Sequence, residues 1–139
     1  MVDRTILADK IASVRDAVAR IREVLPPERD AFLADRTVRE VVILNLFVAL
    51  QECLSLAAHW LSDAGLDVPQ SYAQVFLRLG ERGVVAPDLA ARLAAASGFR
   101  NLVAHRYGVL DSERIHEIAS TRLDDLLAFC EALARAASK

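Results

Sequence analysis

A chain of 139 residues, 54% of them apolar and 26% charged, is long enough to bury one sizeable core and too apolar to be a disordered tail. Its formal charge of −2 excludes a global positive field of the kind that draws a protein onto nucleic acid or an anionic membrane. Lys10 and Lys139 are the only lysines among 17 cationic residues. An arginine excess gives planar forks suited to phosphate, but codon usage in a GC-rich genome is the favoured explanation.

Charge begins at Asp3 in "MVDRTILADK", so the opening residues do not form the apolar core of a signal peptide. In the first predicted helix, Leu7, Ile11, Val14, Val18, Ile21 and Leu25 recur at spacings of four and three, a narrow apolar seam. Pro26 and Pro27 stop it. Residues 30–36 have room for one early turn of helix. The second helix is then expected from Thr37, because "TVRE" has the capping-box form with Glu40 at the third helical position.

The apolar run that follows, "VVILNLFVALQECLSLAAHWL" over residues 41–61, approaches the roughly 20 residues that span a bilayer. Asn45, Gln51, Glu52, Ser55 and His59 interrupt it, which favours a central helix covered by neighbours over a membrane span. Asn45, Glu52 and His59 recur every seven residues. That line either borders a functional cleft or sets a dimer register, and a buried Glu52 would call for an arginine partner. Gly65 and Pro69 end this spine.

"SYAQ", residues 71–74, opens a short third helix ending at Gly80 or Gly83. Pro87 suits the first turn of a fourth, with Asp88 beside it complementing the dipole. This helix is alanine-rich, carries Gly98 as a candidate bend and has Gly108 as its expected C-cap. "DSER" opens one last helix, with Ile115, Ile118, Leu123, Leu126, Leu127, Phe129 and Leu133 on its apolar face. Cys53 and Cys130 lie inside apolar helical patterns and read as reduced core residues of a cytosolic protein. The expectation is an all-α fold: an antiparallel bundle of four to five helices, one domain over residues 1–139.

The stretch "GFRNLVAHRYG", residues 98–108, places Arg100, Asn101, His105 and Tyr107 within eight positions. Asn101 and His105, four apart, share a helical face, and so do Arg100 and Tyr107, seven apart. Arg100 and His105 are five apart, roughly 140° around an ideal helix. One unbent helix does not aim both at one atom, so either the helix end distorts or a second subunit completes the site. Metal-free RNA cleavage needs a base for the 2′-hydroxyl, an acid for the leaving oxygen and a cation on the phosphate. Histidine supplies the proton transfers and arginine the charge stabilisation. A two-fold dimer would provide two of each.

The pattern Arg-Asn, three residues, His, one residue, Tyr, as in "RNLVAHRY", resembles the HepT-like branch of the HEPN superfamily of metal-independent ribonucleases. The resemblance implies a HEPN-like bundle that dimerises with the paired motifs lining a shared cleft. It implies catalytic roles for Arg100, Asn101 and His105, and RNA, either tRNA or mRNA, as substrate. It further implies a toxin whose antitoxin is an MntA-like nucleotidyltransferase that transfers AMP to Tyr107. No cofactor or metal is expected, and the location expected is the cytoplasm.

Plainer roles stand beside these. His105 can be a satisfied bundle-end histidine, Arg100 the partner of a carboxylate, and Tyr107 an interface residue. The alternative at the level of the whole protein is a non-catalytic helical module that binds and positions a nucleotidyltransferase. "ERIH", residues 113–116, matches one copy of the Glu-x-x-His element of di-iron bundles, which need it twice.

Overall fold

The computed structural model describes residues 3–106 and 112–138, with side chains described outside 100–106. Among the described residues all regular structure is helical: α1 Arg4–Val24, α2 Arg29–Ala34, α3 Arg36–Asp63, α4 Tyr72–Glu81, α5 Pro87–Arg106, α6 Ser112–Thr121 and α7 Leu123–Ala137. That is seven helices where four to five were expected. The surplus comes from α2, a separate short piece, and from a break in the last helix.

The seam on α1 is buried as its spacing requires: Leu7, Ile11, Val14, Val18 and Ile21 face inward and pack on α3. Asp3 caps this helix, its carboxylate accepting from the backbone N–H groups of Thr5 at 2.8 Å and Ile6 at 3.2 Å. At the far end the Leu25 N–H closes on the Ile21 carbonyl at 2.8 Å, just before the two prolines.

The start of α3 departs from the expected capping box. Asp35 is the N-cap, its carboxylate accepting from the Val38 N–H at 3.1 Å, and Thr37 lies exposed inside the first turn. Aspartate is the better cap of the two. Glu40 instead pairs with Arg36 one turn back, at 2.8 Å. Arg39 donates to the Leu33 carbonyl and so ties α2 to α3.

α3 is the spine, touching every other helix. Among the described helices it alone is long and apolar enough to cross a membrane, and half of its most apolar window is buried by its neighbours. It ends in a Schellman turn: Gly65 takes φ +75° and the Leu66 N–H reaches back to the Leu61 carbonyl at 2.9 Å. α4 ends the same way at Gly83, φ +75°, with the Val84 N–H on the Leu79 carbonyl at 3.0 Å. Gly80 lies within α4 and does another job. A Cβ there would stand 2.8 Å from the Ala90 Cβ, so its absence lets α4 and α5 approach closely. Ser71 caps α4 as "SYAQ" predicts, accepting from the Gln74 N–H at 3.4 Å.

The expected single last helix is interrupted at Arg122. Its local sequence explains the break. Thr121 turns its hydroxyl back onto the Glu117 carbonyl at 2.7 Å, and Asp124 and Asp125 then favour the N-terminus of a new helix. One buried cluster gathers side chains from all seven helices. Phe76 of α4 meets Phe129 of α7 edge-to-face, centroids 5.6 Å apart at 81°, a geometry worth about 0.5–1.5 kcal/mol beyond the area it buries.

Candidate active site

The second half of α5 carries the "FRNLVAHR" stretch. Its backbone is helical without interruption through Gly98 to Arg106, so the bend expected at Gly98 does not break the helix. Phe99, 7% exposed, anchors this turn in the core. Arg100, Asn101 and His105 therefore occupy regular helical positions, with Asn101 and His105 one turn apart and Arg100 five positions before His105. Their side chains lie outside the described set, as do Tyr107 and the expected cap Gly108. With the backbone regular this far, Arg100 and His105 remain roughly 140° apart around the helix axis.

The polar residues that frame this helix are well placed. Arg92, two turns before Arg100, bridges from α5 to Asp125 of α7 at 3.1 Å and to Asp88 on its own helix at 3.3 Å. The two carboxylates hold the guanidinium further above its usual range, Asp125 contributing most. In return Arg92, with help from the Leu89 amide, holds the Asp88 carboxyl below the ordinary carboxylate value. Sequence alone shows Asp88 and Arg92 four apart, whereas Asp125 joins them only through packing.

Beside this bridge a cavity of about 510 Å³ opens between α3, α5, α6 and α7. Leu46, Leu50 and Phe99 give it apolar walls, and Arg114 and Arg122 also line it. Neither arginine is a defining residue of a recognisable motif in the sequence.

Other sequence candidates resolve into structure. His116 of "ERIH" is buried, its Nε2 3.0 Å from the Pro26 carbonyl and its ring tilted against Phe32 with centroids 5.2 Å apart. Glu113 pairs with Arg29 at 3.9 Å. Among the described residues no group of three or more His, Cys, Asp or Glu side chains is arranged to hold a metal. On α3, the Asn45 amide donates to the Val41 carbonyl of its own helix at 2.8 Å, and His59 is exposed. The partner of Glu52 is Lys10 at 3.7 Å rather than an arginine, because α1 presents Lys10 there. Both ends of that pair are about a quarter exposed, which ammonium tolerates. Cys53 and Cys130 are buried free thiols in contact across α3 and α7. That contact and complete burial push the Cys53 thiol well above its usual value, so it stays protonated.

Comparison with known proteins decides the family. The family model described as Ribonuclease HepT-like matches residues 14–133. The chain belongs to the HepT-like ribonuclease family. It is 27% identical over 128 residues to the mRNA nuclease HepT of Shewanella oneidensis, covering 92% of this chain and 96% of that one. Among solved structures it resembles the tri-AMPylated Shewanella oneidensis HEPN toxin in complex with its MNT antitoxin. The TM-score is 0.85 at 27% identity, covering 97% of this chain and 99% of the other. A toxin–antitoxin crystal structure with AMP-PNP matches at TM-score 0.86 and 26% identity, over 94% of this chain and 98% of that one. The HepT-like match contains the whole "RNLVAHRY" stretch and helices α3, α5 and α6, which frame the cavity together with α7.

Proposed function

We propose that this protein is a metal-independent endoribonuclease toxin of a toxin–antitoxin pair. The observation that carries the reading is the family match together with the place of the motif within it. The family match runs over residues 14–133 and contains the Arg-Asn-x-x-x-His-x-Tyr pattern, whose Arg100, Asn101 and His105 sit on the uninterrupted helix α5.

In this reading the 2′-hydroxyl of a ribose attacks the adjacent phosphorus, and the bond from phosphorus to the 5′-oxygen breaks. The products are a 2′,3′-cyclic phosphate and a 5′-hydroxyl. His105 removes the proton from the attacking hydroxyl, and His105 of a second copy returns one to the leaving oxygen. Arg100 stabilises charge that grows on the phosphoryl oxygens, and Asn101 orients the imidazole. A homodimer supplies the second copy. The regular helix supports this, since Arg100 and His105 of one protomer diverge by roughly 140°. One HEPN-like domain spans residues 1–139, and the protein works in the cytoplasm.

The partner is an MntA-like nucleotidyltransferase antitoxin. It neutralises the toxin by AMP transfer: the Tyr107 phenol attacks the α-phosphorus of ATP, an ester forms, pyrophosphate leaves and the phenolic proton passes to base. The added phosphate places negative charge and bulk where RNA phosphate must lie. The tri-AMPylated state of the Shewanella toxin supports this route, and the name of its mRNA nuclease relative makes mRNA the first substrate to test.

The test is incubation of purified protein with mRNA and tRNA in the presence of chelator. Fragments ending in 2′,3′-cyclic phosphate are the expected result. Intact RNA, together with binding of a nucleotidyltransferase, would support the non-catalytic docking module instead.

A further inference from the structure

On α6 and the joint that follows it, Arg114, Ile118 and Arg122 recur at intervals of four, so the three form one stripe, and all three line the 510 Å³ cavity. Eight helical positions correspond to about 12 Å between the two arginines along the axis, with one apolar side chain between. The cavity lies within the roughly 300–1,000 Å³ range of small-molecule sites. Its apolar walls include Leu46 and Leu50 from α3, and Phe99 from α5, the residue directly before Arg100. Asp125 is its one lining carboxylate among the described residues, and Arg92 occupies that carboxylate at 3.1 Å. Arg114 and Arg122 are the other charged side chains in the described lining.

We propose that this cavity is a nucleotide subsite. A base enters between Leu46, Leu50, Phe99 and Ile118, while its phosphate rests on one of Arg114 and Arg122 and, in a strand, the neighbouring phosphate rests on the other. The chemistry recognised is a nucleoside monophosphate unit. Two sources offer one here: a nucleotide of the RNA flanking the cleaved bond, or an adenylyl group carried on Tyr107. The proposal rests on the ribonuclease reading for those sources, though not for the binding itself. Apolar walls exclude water from the base, and the planar guanidinium groups in the lining pair with phosphate oxygens. Arg114 and Arg122 are thus positioning residues, acting on where the strand lies and not on the proton transfers.

The experiment uses the full chain and two probes that cannot be cut. One is a single-stranded octanucleotide with 2′-O-methyl riboses, and the other is 5′-AMP. Affinities are measured over a salt series for the wild type, for an Arg114→Gln/Arg122→Gln double variant, and for Ile118→Trp, which fills the cavity. Melting temperatures are recorded for all three. The double variant should weaken binding at least tenfold and reduce the salt dependence of log Kd by about 0.7 per arginine removed. Ile118→Trp should weaken binding with that salt slope unchanged.

Binding of 5′-AMP identifies the adenylyl group as an occupant, and binding of the octanucleotide alone identifies the RNA strand. Failure of both probes to bind the wild type overturns the proposal. So does unchanged affinity in a double variant that melts with the wild type. If the wild type cleaves natural RNA while the variants bind normally, the subsite falls and the ribonuclease reading stands. If the arginines prove necessary for binding but no RNA is cut, the catalytic reading falls and the subsite stands.

Discussion

His116 Nε2 stands 3.0 Å from the carbonyl oxygen of Pro26, a contact that spans ninety positions of sequence. It fastens α6 to the turn between α1 and α2, and Phe32 of α2 packs against the imidazole. The N–H that satisfies the Pro26 carbonyl is committed to holding the fold. His116→Ala should therefore lower stability by about 2 kcal/mol, from a lost buried hydrogen bond and lost ring packing. Denaturant unfolding measures the loss. RNA cleavage by the folded fraction should persist, in contrast to a change at a residue that handles protons.

The beginning of α3 makes a paired prediction. Asp35→Ala removes the carboxylate that accepts from Val38 and should cost about 1 kcal/mol. Thr37→Ala removes an exposed hydroxyl within the first turn and should stay within about 0.5 kcal/mol. Thermal melts of the two variants decide which residue caps the spine.

These two cases show what was legible in the sequence. The seam of α1 was readable because its buried positions share one face of a single helix, so periodicity carries the message. The Arg100 to Tyr107 pattern was readable for a similar reason, as its spacing lies within one stretch of chain. Asp35 was missed because two capping residues stand two apart and only the geometry of the turn chooses between them. The break at Arg122 was hidden because Ile118 and Leu123 keep apolar residues on both sides of it. His116, Asp125 and Lys10 gained their roles from partners on other helices, which no local spacing records. The Arg114–Ile118–Arg122 stripe becomes a cavity wall only when α3 and α5 close opposite it.

Two helical glycines should respond in opposite directions. Gly80→Ala places a methyl 2.8 Å from the Ala90 Cβ and should destabilise by about 1–3 kcal/mol as α4 and α5 are pushed apart. Gly98→Ala meets no atom within 4 Å and should stabilise α5 by about 0.5–1 kcal/mol. Denaturant midpoints of the two variants report both signs.

Asp88 gives the acid limb of stability a specific contributor. Its folded value is depressed, chiefly by Arg92, so its contribution is present above the ordinary value of 3.8 and disappears as pH falls through the lower folded value. The difference in melting temperature between the wild type and Asp88→Asn should be constant at neutral pH and close in strong acid. A difference that stays the same down to pH 2 would contradict this assignment.

The central claim is that His105 moves protons during metal-free RNA cleavage. The direct measurement compares wild type with His105→Ala on RNA in the presence of chelator, scoring 2′,3′-cyclic phosphate ends. Helicity and dimerisation are checked on the same samples. The account predicts a loss of at least 100-fold in the variant, the usual contribution of a positioned acid or base, with fold and assembly unchanged. Equal yields of cyclic phosphate from the two proteins would contradict it.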